Sequence, residues 1–235
     1  MSNIKLFIVS FALLFCSILN GHSIEHQRLV TIHGFLGDTW NMKYMASGYS
    51  DKHVYVKHWA YPSRDKLIQE HGADLAHYLQ KLARKKPGVP INFITHSMGG
   101  LVLRSAMNHP ECPPEAKIGR AALLAPPNQG AGWGRFLDQY YFSHLIGKEK
   151  AGKQLRSQAD FEFLGQFPDT VQVLVIAGTK NINPWIKGKS DSTVTVDETR
   201  LNTPHQHKTV HAEHTMILFS KRAYRYIKEF FKQDL

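Results

Sequence analysis

The sequence predicts an α/β domain, a mostly parallel sheet flanked by helices. Two observations carry this reading. Short apolar, β-branched runs alternate along the chain with segments whose apolar residues recur every three or four positions. Strands that alternate with helices imply right-handed crossovers, hence a parallel sheet covered on both faces. Of the 235 residues, 43% are hydrophobic and 20% charged, which permits a real core and excludes disordered, collagenous and disulfide-stapled classes.

In chain order, Arg28–His33 reads as a buried strand ending at Gly34, and 53–60 as a second strand stopped by Tyr61 and Pro62. From Ser63 the pattern turns helical, with Leu67, Ile68, Leu75, Ala76, Leu79 and Leu82 on one face, and Gly88 and Pro90 close it. Ile91–Thr95 is a third strand and Met98–Asn108 a helix ended by Pro110. A fourth strand lies within 118–125, closed by Pro126 and Pro127, and a fifth is Val171–Ala177, followed by Gly178. Residues 215–232 form an apolar-faced terminal helix. Residues 127–168 break the alternation with an aromatic insertion (Trp133, Phe136, Tyr140, Tyr141, Phe142), read as a cap or lid over a pocket, or otherwise as a helical decoration.

The amino terminus reads differently. Lys5 precedes an apolar run, Leu6–Leu19, and then the small and polar residues Asn20–Ser23. One positive charge and a stretch too short for the roughly 20 apolar residues of a membrane span indicate a signal peptide over 1–23, an exported chain and a single domain over 24–235. Lys and Arg number 29 against 19 acids, a net charge of +10 that falls to +9 without Lys5. This balance and the aromatic insertion suit peripheral contact with an anionic membrane or lipid surface. Nucleic acid is disfavoured, because no basic, aromatic-lined face is evident. Cys112 is the one cysteine outside the leader, so no internal disulfide is expected.

The most informative tract is Phe93–Gly100. A strand runs into a helix with almost no loop, and Ser97 sits at the turn between Thr95 and Gly99. Such a turn pushes the hydroxyl beyond the strand ends and sets the first helical amides beside it; small residues two positions away on either side prevent collisions. The bland reading is a serine helix cap.

This tract resembles the nucleophile elbow G-x-S-x-G of the α/β-hydrolase superfamily, with Thr95 in place of the first glycine. The resemblance extends over most of the chain after the leader. His33–Gly34 after an early strand is similar to the family's oxyanion segment, which implies the backbone amides of Met98 and of Phe35, or Leu36, as oxyanion donors, with His33, Gly34, His96 and Gly99 in support. Ser190–Val194 resembles the family's D-G-x-V segment with Ser192 for glycine, which implies Asp191 as the acid; Asp197 and Glu198 compete. His214, just ahead of the terminal helix, is the implied base, with His211, His205 and His207 as rivals. Ala125–Ala131 and Val194–Leu201 are also similar to segments of a lipase- and esterase-like branch that includes bacterial exported lipases and GPI-inositol deacylase-like enzymes. The resemblance implies hydrolysis of a small-molecule or lipid carboxylic ester by a Ser97–His214–Asp191 triad, with no metal or organic cofactor. A thioesterase or acyltransferase using the same triad, an inactive binding protein of the same fold, and a zinc site on the clustered histidines are the competing readings.

Overall fold

The computed structural model describes residues 27–47, 54–132 and 150–232. Its centre is a six-stranded sheet: β1 (Gln27–Ile32), β2 (Val54–Trp59), β3 (Ile91–His96), β4 (Arg120–Leu124), β5 (Gln172–Gly178) and β6 (Gln206–Val210). The order is β2-β1-β3-β4-β5-β6 and every pairing is parallel. The chain therefore winds outward in both directions from β1 and β3, and the point where the winding reverses lies beside their carboxyl ends. In open parallel sheets that is where a site is built.

Helices cover both faces: α1 (Thr39–Ser47), α2 (Ile68–Lys85), α3 (Met98–Asn108), α4 (Ala151–Ser157) and α5 (Lys221–Lys232). The pleat sorts the core into two layers. Val30, Ile32, Phe93, Leu123 and Val175 point to α2 and α3, whereas Leu29, Ile94, Leu124, Leu174 and Ile176 point to α1 and α5. Helices α2 and α3 cross closely because Gly72 has no side chain; a Cβ there would lie 2.3 Å from Ser105 Oγ.

The five strands read from sequence stand within two residues of the expected ends. Two elements were not expected, and one differs in length. Helix α1 carries a helical pattern in Met42, Met45 and Ala46, all buried, and Asp38 starts it by accepting the Trp40 amide at 3.0 Å. Strand β6, at the sheet edge, has only partial burial, so its polar sequence gives no strand signal. The terminal helix is shorter than expected: residues 216–219 form a 3₁₀ turn, Ser220 interrupts, and α5 begins at Lys221.

The insertion is described in part. From Ala151 it packs as decoration: Gln154 accepts the Ile68 amide at 2.8 Å at the start of α2, Arg104 of α3 donates to the Phe161 carbonyl at 2.6 Å, and Phe161, Leu164 and Phe167 are buried. Its aromatic stretch, 133–149, which carries the cap or lid reading, lies outside the described residues, as does the segment 1–23 that was read as a signal peptide. Among the described residues, no helix is long and apolar enough to cross a membrane.

Candidate active site

Strand β3 feeds α3 through Ser97, whose backbone (φ 51°, ψ −126°) is one that L-residues rarely adopt. The serine amide donates to the Leu124 carbonyl of β4 at 2.8 Å, which clamps the turn to the neighbouring strand. Gly99 is required by packing: a Cβ there would lie 2.6 Å from the Ile32 carbonyl oxygen and 2.7 Å from that of His33. Thr95 is accommodated because Gly100 faces it, with Thr95 Oγ1 at 3.3 Å from where a Gly100 Cβ would stand. Although Ser97 holds the N-cap position of α3, its side chain makes no capping bond. Its Oγ lies instead 2.9 Å from His214 Nε2, which argues against the simple cap.

His214 stands on the loop between β6 and the 3₁₀ turn, and the chain holds it from three sides. Its Nδ1–H donates to Asp191 Oδ2 at 2.8 Å, its amide donates to the Asp191 carbonyl at 2.9 Å, and its own carbonyl accepts from His96 Nε2 at 2.9 Å. Asp191 is fully buried, and its other oxygen accepts the amides of Thr193 and Val194 at 3.0 and 2.7 Å. A buried carboxylate with both oxygens engaged has one orientation. Ser192 has φ 78°, the left-handed region, which is the physical reason a glycine suits that position in the motif; here its hydroxyl offsets the strain by accepting the Ile182 amide at 2.9 Å. Gly178 at the end of β5 lets this loop close, since a Cβ would meet Asp191 Cβ at 2.6 Å and the Ala212 carbonyl oxygen at 2.5 Å.

The segment after β1 forms a tight turn in which the Gly37 amide donates to the Gly34 carbonyl at 3.0 Å. A Cβ on Gly34 would lie 2.9 Å from Ser97 Cβ, so this turn and the elbow touch. Sequence left Phe35 and Leu36 both open as donors. The structure separates them: the Leu36 amide donates to Ser63 Oγ at 3.0 Å, whereas the Phe35 and Met98 amides have no acceptor among the described residues. Behind the turn, the buried His33 stacks on Tyr61 with ring centroids 4.4 Å apart, and Tyr61 donates its hydroxyl hydrogen to the His33 carbonyl at 2.8 Å. Tyr61 and Ser63 carried no sequence signal, because nothing in their spacing ties them to a turn nearly thirty residues upstream.

Burial, reinforced by the adjoining His214, pushes the His96 imidazole down to about 3. It is therefore neutral, with its hydrogen on Nε2, because a carbonyl can only accept. Burial also lowers His33, whose Nδ1–H donates to the Gly34 carbonyl at 2.9 Å.

The rival residues go elsewhere. Glu198 accepts the Thr195 amide at 2.7 Å and the Gly132 amide at 2.5 Å, bracing the start of the insertion, and Asp197 pairs with Arg200 in the open. His207 bonds Thr199 Oγ1 at 2.9 Å and His205 the Thr203 carbonyl at 2.8 Å. Exposed His211 makes no bond to Ser97 or Asp191. Among the described residues, no three His, Cys, Asp or Glu side chains converge to hold a metal.

The parallel sheet with its flanking helices is matched in solved structures. The mature lipase BlEst2 of Bacillus licheniformis superposes with a TM-score of 0.70 at 17% identity, covering 88% of this chain and 92% of that one. The product of gene lin2722 of Listeria innocua gives 0.63 at 14% over 89% and 95%, and the metagenomic carboxyl esterase MGS0156 gives 0.58 at 15% over 88% and 77%. The chain has the α/β-hydrolase fold. In sequence, residues 23–123, from ahead of β1 into β4, match the family described as "Putative serine esterase (DUF676)". No curated protein matches the chain in sequence. The family match supports an ester hydrolase, and the solved structures support the fold.

Proposed function

We propose that the chain hydrolyses carboxylic esters through an acyl-enzyme on Ser97, with His214 as base and Asp191 as its orienting acid. The observation that carries this is the continuous relay at the elbow, 2.9 Å from Ser97 Oγ to His214 Nε2 and 2.8 Å from His214 Nδ1 to Asp191 Oδ2.

Each part follows from its surroundings. Asp191, acceptor-only and fixed by the Thr193 and Val194 amides, keeps the Nδ1–H tautomer, so Nε2 presents its lone pair to the serine hydroxyl. Ser97 Oγ attacks the ester carbonyl while His214 takes its proton, and the imidazolium so formed is stabilised by the Asp191 carboxylate. The Phe35 and Met98 amides donate to the oxyanion; donors of this kind are worth about 10²–10³ in rate. His214 returns the proton to the departing alcohol. A water, deprotonated by His214, then attacks the acyl carbonyl and frees the acid and Ser97. Small-molecule and lipid esters are the substrate class, and the apolar run Leu6–Leu19 supports an exported protein.

The test is release of p-nitrophenol from esters of short to long acyl chains by the intact protein and by Ser97→Ala. Activity that disappears with Ser97→Ala is expected, and the chain-length optimum separates esterase from lipase. A folded protein inert on every ester overturns the reading; turnover of acyl thioesters by that same protein would then assign the thioesterase alternative.

A further inference from the structure

An apolar and basic surface rims the site on the side of α1 and α5. Leu36 and Trp40 are 62% and 63% exposed, and Met216 and Phe219 are 54% and 41% exposed. Leu36 directly follows the Phe35 amide, and Met216 lies two residues after His214, so the patch adjoins the reacting groups through both of these segments. Tyr44 joins the two halves: its ring lies 6.3 Å from Phe219 and 5.6 Å from Tyr224 on α5. Large side chains held on rigid elements and left in water call for a covering partner.

The charge beside the patch says which partner. Lys43 stands on α1 between Trp40 and Tyr44, and Lys221, Arg222 and Arg225 stand on the first two turns of α5. All four are exposed and none has an acidic partner among the described residues. Cations in the first turn of α5 oppose its dipole, so local helix stability does not account for them. Tryptophan, leucine and methionine beside unpaired cations form the mixed surface that settles at the boundary of an anionic bilayer: the apolar groups enter the acyl edge and the cations meet headgroups.

We propose that the α1/α5 face docks the protein on anionic phospholipid surfaces with Ser97 turned towards the lipid. The docking surface stands on its own observations. Its use, presenting membrane esters to Ser97, rests on the esterase reading.

Co-sedimentation of full-chain Ser97→Ala protein with phosphatidylcholine vesicles, with and without phosphatidylglycerol, tests it in the absence of turnover. Binding that requires phosphatidylglycerol and weakens with salt is expected. Lys221→Glu with Arg222→Glu should lower the affinity about 25-fold or more, since each surface cation contributes close to a fivefold factor. Trp40→Ser should lower it as well and abolish a blue shift in tryptophan emission. In the Ser97 background both variants should hydrolyse soluble p-nitrophenyl acetate as the parent does, which shows them folded. Equal binding to neutral vesicles, indifference to salt, no vesicle binding, or variants that bind like the parent would each overturn the proposal. Vesicle binding by a protein inert on all esters would sink the esterase reading and leave the docking surface standing.

Discussion

Replacing Gly99 by alanine tests whether the contact of α3 with β1 sets the reactive geometry. The new Cβ would stand 2.6 Å from the Ile32 carbonyl oxygen and 2.7 Å from that of His33. Non-bonded heavy atoms keep about 3.5 Å, so the shortfall is about 0.9 Å. Ile32 belongs to β1, which is paired on both sides by β2 and β3, so the strand cannot yield and α3 must. Helix α3 begins at the turn that carries Ser97, and a displacement near 1 Å of a reacting group costs on the order of 10² in rate. Overpacking of this kind also costs about 1–3 kcal/mol of stability. For a domain of this size that lowers Tm by roughly 2 to 12 °C. The assay pairs kcat and KM for p-nitrophenyl butyrate with a thermal melt. Gly100→Ala is the comparison, because its Cβ would meet only side-chain atoms, Pro126 Cβ at 3.2 Å and Thr95 Oγ1 at 3.3 Å, and it should cost much less on both readouts. Gly99→Ala protein with parental kcat and Tm would show that the contact of α3 with β1 does not set the position of Ser97.

Other outcomes follow from the same geometry. Asp191→Asn should reduce kcat by about 10³–10⁴ with KM little changed, since an amide no longer holds the Nδ1–H tautomer; steady-state kinetics would contradict this by a loss under tenfold. Tyr61→Phe leaves the buried His33 carbonyl without its 2.8 Å donor and should cost about 1–3 kcal/mol in denaturant unfolding; an unchanged midpoint would remove Tyr61 from the scaffold. Burial depresses His96 to about 3 and His207 to about 4, and lowers His33 and His71 as well. The unfolded chain therefore binds more protons than the folded one below the ordinary histidine value, so stability should be full above about pH 6.5 and fall as the pH drops towards 4. Melts across that range should show the decline and His96→Asn should lessen its slope, whereas a flat Tm would contradict the assignment of neutral buried histidines.

Residues showed the site more fully than they showed its support. The elbow is legible because its demands are local: a strand, a helix and the small residues Thr95 and Gly99 are all within one short tract. Asp191 and His214 were named only through the resemblance, with Asp197, Glu198 and His211 as rivals, and it is the fold that sets this pair 2.8 Å apart. Phe35 and Leu36 were not separable, because the choice depends on Ser63, which reaches the turn only after β2 has returned the chain to it. His96 stood beside Ser97 in the sequence, but its bond to the His214 carbonyl joins residues 118 positions apart. Strand β6 was invisible for a related reason: at a sheet edge the pairing with β5 supplies what hydrophobic alternation does elsewhere.

By itself, then, the sequence determined the alternation of strands and helices, the parallel sheet and the turn that must carry Ser97, because backbone propensity and hydrophobic period act over neighbouring residues. Tertiary structure alone decided which amides remain free beside Ser97, which carboxylate meets His214, and which face gathers unpaired cations around exposed tryptophan. Those depend on contacts between distant segments, and their cost or gain exists only once the sheet has closed the loops upon one another.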